Sequence, residues 1–196
     1  MYRKRIKPLL DITFAFIGLT LLSPLFIIII VLIKLESKGP VFFVQRRIGK
    51  GKKEFKILKF RSMRMDTPGD MPTHLLENPQ RYITGIGKFL RKTSLDEIPQ
   101  LFNILKADMS FIGPRPALWN QLDLIDERDK YGANDVFPGL SGWAQVNGRD
   151  EIAITKKARL DGEYVKKISF GFDIKCFLKT IASIFSTRGF SEGPSE

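Results

Sequence analysis

Leu19-Thr20-Leu21-Leu22-Ser23-Pro24-Leu25-Phe26 lies at the centre of an uncharged run, Ile12 to Ile33, that is 22 residues long. As a straight helix at about 1.5 Å per residue the run reaches about 33 Å, close to the roughly 30 Å hydrocarbon core of a bilayer. A secretory signal fits less well, because the run exceeds an ordinary h-region and no small-residue cleavage pattern follows before Lys34. Pro24 cannot donate to the Thr20 carbonyl, and its ring crowds that turn. Ser23 can bond back to the Leu19 carbonyl, so a sharp bend is expected at Ser23-Pro24. Arg3, Lys4, Arg5 and Lys7 precede the run and Lys34, Lys38, Arg46 and Arg47 follow it, which gives a spanning helix no preferred direction. A re-entrant helix that bends and leaves by the face it entered satisfies both flanks. A spanning anchor with a tolerated proline is the alternative.

The remaining residues suffice for one further domain, which divides the chain into a membrane helix over residues 1–36 and a domain over 37–196. Lys and Arg number 32 against 21 acidic residues, a formal net charge of +11. That surplus points to a polyanionic partner: nucleic acid, an anionic membrane surface or a phosphorylated substrate. The single cysteine, Cys176, excludes an internal disulfide, and its neighbours Ile174, Phe177 and Leu178 mark it as a small buried hydrophobe.

Chemistry concentrates in Thr93-Ser94-Leu95-Asp96-Glu97-Ile98-Pro99-Gln100, two adjacent carboxylates ahead of an apolar segment through Leu101, Phe102, Ile104 and Leu105. Ser94 and Glu97 match a capping box. Capping leaves Asp96 unexplained, and also Pro99, which would fall inside the helix and remove the N–H that pairs with the Leu95 carbonyl. Carboxylates near a helix N-terminus are favoured in ionised form, which suits a nucleophile or metal ligand as well as a cap.

Upstream, Val41 to Val44 and Glu54 to Met63, joined by a glycine-bearing turn, read as a small β-hairpin whose alternation runs Phe55, Ile57 and, imperfectly, Lys59. Residues 64–82 carry turn chemistry. His74, the only histidine, has no metal-ligating companions there, so it is expected at the surface. Tyr82 to Lys92 resumes helical spacing and brings Lys88, Arg91 and Lys92 towards the dyad. Downstream, Pro114 and Pro116 fix the backbone around Arg115, pre-organising a guanidinium for bidentate phosphate binding. Residues 117–135 read as a charged surface helix. Phe137 to Arg149 is a glycine-rich loop suited to close approach of a flat ligand. Helices are expected over Ala158 to Ile168, presenting Asp161, Tyr164 and Val165, and over Ile174 to Phe185. The class is therefore α+β: an apolar membrane helix broken at Ser23-Pro24, then a mostly helical membrane-associated domain with one small β-hairpin.

The basic N-terminus, the apolar helix with Ser23-Pro24, Lys59-Phe60-Arg61-Ser62-Met63, Ser94-Leu95-Asp96-Glu97, Gly113-Pro114-Arg115-Pro116, Gly142-Trp143-Ala144-Gln145-Val146-Asn147-Gly148-Arg149 and Asp161-x-x-Tyr164 occur together in one order. In this the chain resembles the small monotopic phosphoglycosyl transferases, the bacterial sugar transferase family. The resemblance implies that the membrane helix is re-entrant and that residues 37–196 form a catalytic domain, which transfers a sugar 1-phosphate from a UDP-sugar to polyprenol phosphate, with release of UMP, at the cytoplasmic face of the inner membrane. It further implies Asp96 as the nucleophile, a phosphosugar-aspartyl intermediate, magnesium (Mg2+) held by Asp96 and Glu97, and Glu97 orienting or activating. Arg91 and Arg115 would then bind substrate phosphate, and Arg149 and Asp161 would lie on the nucleotide or metal side. Expected partners are the UDP-sugar, polyprenol phosphate and membrane lipids, not nucleic acid; a homodimer stays open. The competing classes are a metal-dependent glycosyltransferase that releases UDP and a non-enzymatic basic membrane adaptor.

Overall fold

The computed structural model describes residues 1–68, 76, 78–148 and 152–185. Its first helix, α1, runs Lys7–Glu36 without interruption, led in by a π-helical turn at Tyr2–Ile6. The break expected at Ser23-Pro24 is therefore not present in the hydrogen-bonded helix, and Pro24 lies inside α1. The reason is local. Pro24 deprives the Thr20 carbonyl of its donor, and Ser23 Oγ replaces it at 2.8 Å, bonding to Thr20 rather than to the expected Leu19.

One face of α1 is covered and the rest is open. Lys7, Asp11, Ala15, Phe26, Ile29 and Ile33 are buried, separated by steps that each return to the same side of a helix. Leu9, Phe14, Phe16, Leu21, Ile27 and Leu35 are exposed. The covered face feeds two apolar clusters. Ala15 packs with Ile57, Leu101, Ile104 and Met109, while Phe26, Ile29 and Ile33 pack with Phe60 and Leu90.

The expected hairpin forms. Strands β1 (Phe42–Ile48) and β2 (Glu54–Phe60) pair antiparallel from Phe42 opposite Phe60 to Ile48 opposite Glu54. The turn between them places Gly51 at φ 65°, a left-handed conformation that glycine adopts without steric cost. The free edge of β2 is closed by α3 (Gln100–Leu105), where Asn103 acts as a substitute strand. Its Oδ1 accepts from Leu58 N at 3.0 Å and its Nδ2 donates to the Lys56 carbonyl at 2.8 Å.

Two short strand pairings complete the frame. Strand β3 (Ser110–Ile112) pairs in parallel with β5 (Gly139–Ser141), and β4 (Ala117–Leu118) joins the other edge of β1. Residues 117–135, expected as helix, thus begin as a strand; the helix, α4, is confined to Leu122–Asp129. Within the expected glycine-rich loop a one-turn helix, α5, forms at Trp143–Val146. The last two helices, α6 (Ile154–Lys167) and α7 (Phe170–Phe185), are those expected, each starting one turn earlier than the sequence suggests. Cys176 is fully buried, as anticipated, and burial pushes its thiol up to about 11. His74 and Arg149 lie outside the described residues.

Both ends of α1 are fastened to this domain by polar groups. At the first turn, the buried Asp173 of α7 accepts from Lys7 Nζ at 2.8 Å, Tyr2 OH at 2.6 Å and Tyr164 OH at 2.8 Å. Asp11 accepts from the backbone N–H of Phe111 at 3.2 Å. Past the last turn, the buried Arg61 donates to the Ser37 and Lys38 carbonyls at 2.9 and 2.7 Å. Glu36 accepts from Ile86 N at 3.0 Å, at the start of α2 (Gly85–Lys92), which Thr84 caps by accepting from Gly87 N at 2.9 Å.

Helix α2 lies against the Ser62 backbone so closely that a Cβ on Gly87 would come 1.9 Å from the Ser62 carbonyl oxygen. Gly87→Ala is therefore expected to push α2 outward and to destabilise the protein by about 1–3 kcal/mol, the range for overpacking a core. Chemical denaturation checks this, with a shifted midpoint at unchanged slope as the expected result.

Candidate active site

Strand β2, helix α2 and the turn after β3 each deliver cations to the Asp96-Glu97 pair. Ser94, at φ 57°, turns the chain out of α2 into a single 3-10 turn, Leu95–Glu97. The capping box expected between Ser94 and Glu97 is not formed, since in this left-handed conformation the Ser94 side chain makes no cap hydrogen bond. Pro99 is not inside a helix either. It stands at the N-cap of α3, where a missing N–H costs no ladder bond. Leu95 and Ile98, on either side of the dyad, are sunk into the cluster of Phe26, Ile29, Phe60 and Leu90, which fixes where the two carboxylates point.

Asp96 is buried and Glu97 only partly so. Glu97 Oε1 lies 2.6 Å from Lys59 Nζ and 3.6 Å from Arg115 Nη1. Burial pushes the Asp96 carboxyl above the ordinary 3.8; Lys59 pulls it back, Glu97 adds to the rise, and Arg91 and Arg115 pull back in turn. Of the residues expected at the site, Asp96, Glu97, Arg91 and Arg115 are brought together. Lys59 is the member that motif reading did not nominate. Its signal was present, because it falls in register with Phe55 and Ile57 on the face of β2 that packs against α3, a charge where the alternation calls for an apolar residue.

The Arg115 turn is held from outside the site. Arg47 Nη1 donates to the Pro116 carbonyl at 2.9 Å and Gly139 N to the Pro114 carbonyl at 2.9 Å. A Cβ on Gly113 would lie 2.4 Å from the Phe137 carbonyl, so this glycine permits the close β3–β5 contact from which the Pro114-Arg115-Pro116 turn projects. A guanidinium positioned this way makes a planar fork that an ammonium cannot copy. Arg115→Lys is expected to lose on the order of 1.5–3 kcal/mol of transition-state binding, the range for hydrogen bonds to charged groups. Steady-state kinetics checks it, and near-normal turnover would reduce Arg115 to a structural residue.

Asp161 is not at this site. It sits in α6, 1 % exposed, with Arg128 Nε and Nη2 converging on its Oδ2 at 2.8 and 2.6 Å. That ion pair ties α6 to α4. Trp143 of the expected ligand loop is likewise engaged within the fold, donating from Nε1 to Glu163 at 3.1 Å with Lys179 Nζ 4.7 Å from its ring centroid.

The donor set fits magnesium in one form only. Among the described residues no group of three or more His, Cys, Asp or Glu side chains gathers as a metal cage. Two carboxylates completed by substrate phosphate oxygens and water are nevertheless how magnesium is commonly held.

A buried carboxylate and its neighbour thus lie inside a ring of Lys59, Arg91 and Arg115, on a domain fastened to one helix long and apolar enough to cross a membrane. The chain belongs to the bacterial sugar transferase family, whose model matches residues 2–187. It is 41% identical over 189 residues to a UDP-N-acetylgalactosamine-undecaprenyl-phosphate N-acetylgalactosaminephosphotransferase of Aeromonas hydrophila, a match covering 94% of this chain and 44% of that protein. It is 38% identical to the uncharacterized sugar transferase EpsL of Bacillus subtilis (strain 168), covering 95% of this chain and 91% of the relative. A UDP-glucose:undecaprenyl-phosphate glucose-1-phosphate transferase of Escherichia coli (strain K12) is 38% identical, with 91% of this chain and 40% of the relative covered. The chain thus spans less than half of two of these relatives and nearly the whole of the third.

Proposed function

We propose that this chain transfers a sugar 1-phosphate from a UDP-sugar to a polyprenol phosphate, through a covalent intermediate on Asp96. The observation that carries the reading is the buried Asp96 carboxylate faced by Lys59, Arg91 and Arg115 and flanked by Glu97. The relatives that act on undecaprenyl phosphate support the acceptor class.

An Asp96 oxygen attacks the sugar-linked phosphorus of the diphosphate. The bond from that phosphorus to the bridging oxygen breaks, and UMP leaves with the electron pair. A phosphate oxygen of the polyprenol phosphate then attacks the same phosphorus and returns Asp96 as a free carboxylate. A carboxylate and a diphosphate repel each other, and the three cations offset that repulsion where charge develops. Lys59 and Arg115 hold Glu97 beside the nucleophile, so that Glu97 orients the site or accepts a proton. Asp96 and Glu97 would hold a magnesium ion, which when bound would neutralise diphosphate charge.

The attachment of α1 supports a reading of its membrane placement. The domain grips α1 at Lys7 and Asp11 near one end and at Glu36 near the other, and apolar clusters cover Ala15 to Ile33 between them. A helix spanning perpendicular to the bilayer would draw these charged anchors and their hosts through hydrocarbon, at several kcal/mol for each unsatisfied polar group. This attachment supports a monotopic reading, in which α1 enters and leaves by one face of the inner membrane and the catalytic domain lies at its cytoplasmic side. Lys4→Cys and Lys38→Cys replace exposed residues beyond the two ends. In sealed vesicles both are expected to react with an impermeant thiol reagent from the same side, and labelling from opposite sides would establish a spanning helix.

The products separate this reading from its main rival. Incubation with a panel of UDP-sugars, polyprenol phosphate and magnesium should release UMP, whereas a metal-dependent glycosyltransferase would release UDP.

A further inference from the structure

A cavity of about 540 Å³ opens beside the first turns of α1, away from the dyad. None of Lys59, Arg91, Asp96, Glu97 or Arg115 lines it. Its charged lining is Arg3, Lys4, Lys7 and Lys50 against a single carboxylate, Asp135. Lys7 is committed to Asp173 at 2.8 Å and lies 3.8 Å from Asp11. The surplus therefore rests on Arg3, Lys4 and Lys50. Two of these are placed by the fold: Lys50 Nζ lies 4.5 Å from the ring centroid of Phe137, and Arg3 donates to the Asp135 carbonyl at 3.4 Å.

Below the cations the lining turns apolar, with Pro8, Ile112, Val136, Phe137 and Ile168. A cationic mouth over an apolar floor suits a phosphate carried on an apolar body. It suits a nucleotide or a bare anion less well, because each would leave the floor uncovered. The cavity also begins where α1 turns towards its exposed apolar surface at Leu9, Ile12 and Phe16. Basic side chains beside an apolar membrane helix attract anionic lipid.

We propose that this cavity seats the phosphate of an anionic phospholipid, with the upper part of its acyl region against the apolar floor. Arg3 and Lys50 bind the phosphate from opposite walls, the N-terminal turn and the β1–β2 turn. The lipid thereby bridges α1 to the hairpin end of the domain. The site is separate from the reaction proposed above and does not rest on it.

Native mass spectrometry of the full chain in detergent, titrated with phosphatidylglycerol or phosphatidylcholine, reads lipid binding directly. Phosphatidylglycerol is expected to bind at least about tenfold more tightly, and Arg3→Gln and Lys50→Gln each to remove most of that preference. Lys88→Gln, an equal charge change on α2, should leave it unchanged. Ile168→Trp, which fills the floor, should weaken phosphatidylglycerol while sparing any binding of inorganic phosphate. Thermal unfolding of each variant confirms that it folds. Equal affinity for the two lipids, or retention of the preference in both Arg3→Gln and Lys50→Gln, would overturn the proposal. Tight binding of inorganic phosphate without any lipid preference would overturn it in favour of a soluble phosphate ligand.

Discussion

Asp96→Asn is expected to fold like the parent protein and to lose sugar-phosphate transfer by on the order of 10⁴-fold or more, the scale seen when a covalent nucleophile is removed. The substitution keeps the shape of the side chain and its place between the partly buried Leu95 and Ile98. It also removes a buried charge, so no loss of stability accompanies the loss of activity. Circular dichroism and thermal unfolding, set beside turnover, separate the two. Glu97→Gln should differ, slowing turnover severely while still permitting a trace of adduct, because its part is to orient or to take a proton.

The same carboxyl sets a pH limit. The reacting form is the anion, and burial raises the folded-state pKa above the ordinary 3.8. Activity is therefore fully present above that raised value and lost as pH falls through it, so the acid limb of kcat/KM should lie above the ordinary aspartate range. Stability runs the other way. Between 3.8 and the raised value the folded state binds the extra proton, so acidification through that window favours folding at this residue.

The largest expected loss of stability lies elsewhere, at Arg128. Its side chain is 4% exposed and that of Asp161 1%, so Arg128→Leu would leave a carboxylate sealed in the protein without its cation. Burial already holds the Asp161 carboxyl above its usual range with Arg128 in place. Breaking a buried pair from one side costs about 3–5 kcal/mol, a large part of the stability of a domain this size. The paired replacement Arg128→Leu with Asp161→Leu should recover much of it, because both charges are then gone. Denaturant titration of the single and double variants checks the pattern. Equal losses in the two would mean that the site is sensitive to shape rather than to uncompensated charge.

Those two buried carboxylates also show where the sequence was legible. Long-period features read cleanly: the apolar run, the hairpin and the last helices depend on patterning that tertiary contacts reinforce. Asp96 and Glu97 were legible because an adjacent pair at a helix start exceeds what capping needs. The Arg128–Asp161 pair was not legible, because a helical aspartate carries no local mark of whether it faces solvent, a substrate or an arginine 33 positions away. The Lys7–Asp173 pair was not legible for the same reason, its partners standing 166 residues apart. At Ser23-Pro24 the proline was correctly seen to disrupt the ladder. The repair came from Ser23 reaching Thr20, a choice between neighbouring carbonyls that only the built helix decides. Ser94 failed as a cap because the αL turn out of α2 took precedence over the local motif.

The central claim is that Asp96 becomes covalently bonded to the phosphosugar. Intact-mass analysis of the protein after incubation with UDP-sugar and magnesium, with no polyprenol phosphate present, tests it most directly. The account predicts a mass increase equal to one sugar phosphate, mapped by peptide sequencing to Asp96, with one UMP released per adduct and neither seen in Asp96→Asn. UMP appearing only once polyprenol phosphate is added, or an adduct on a different residue, would contradict it.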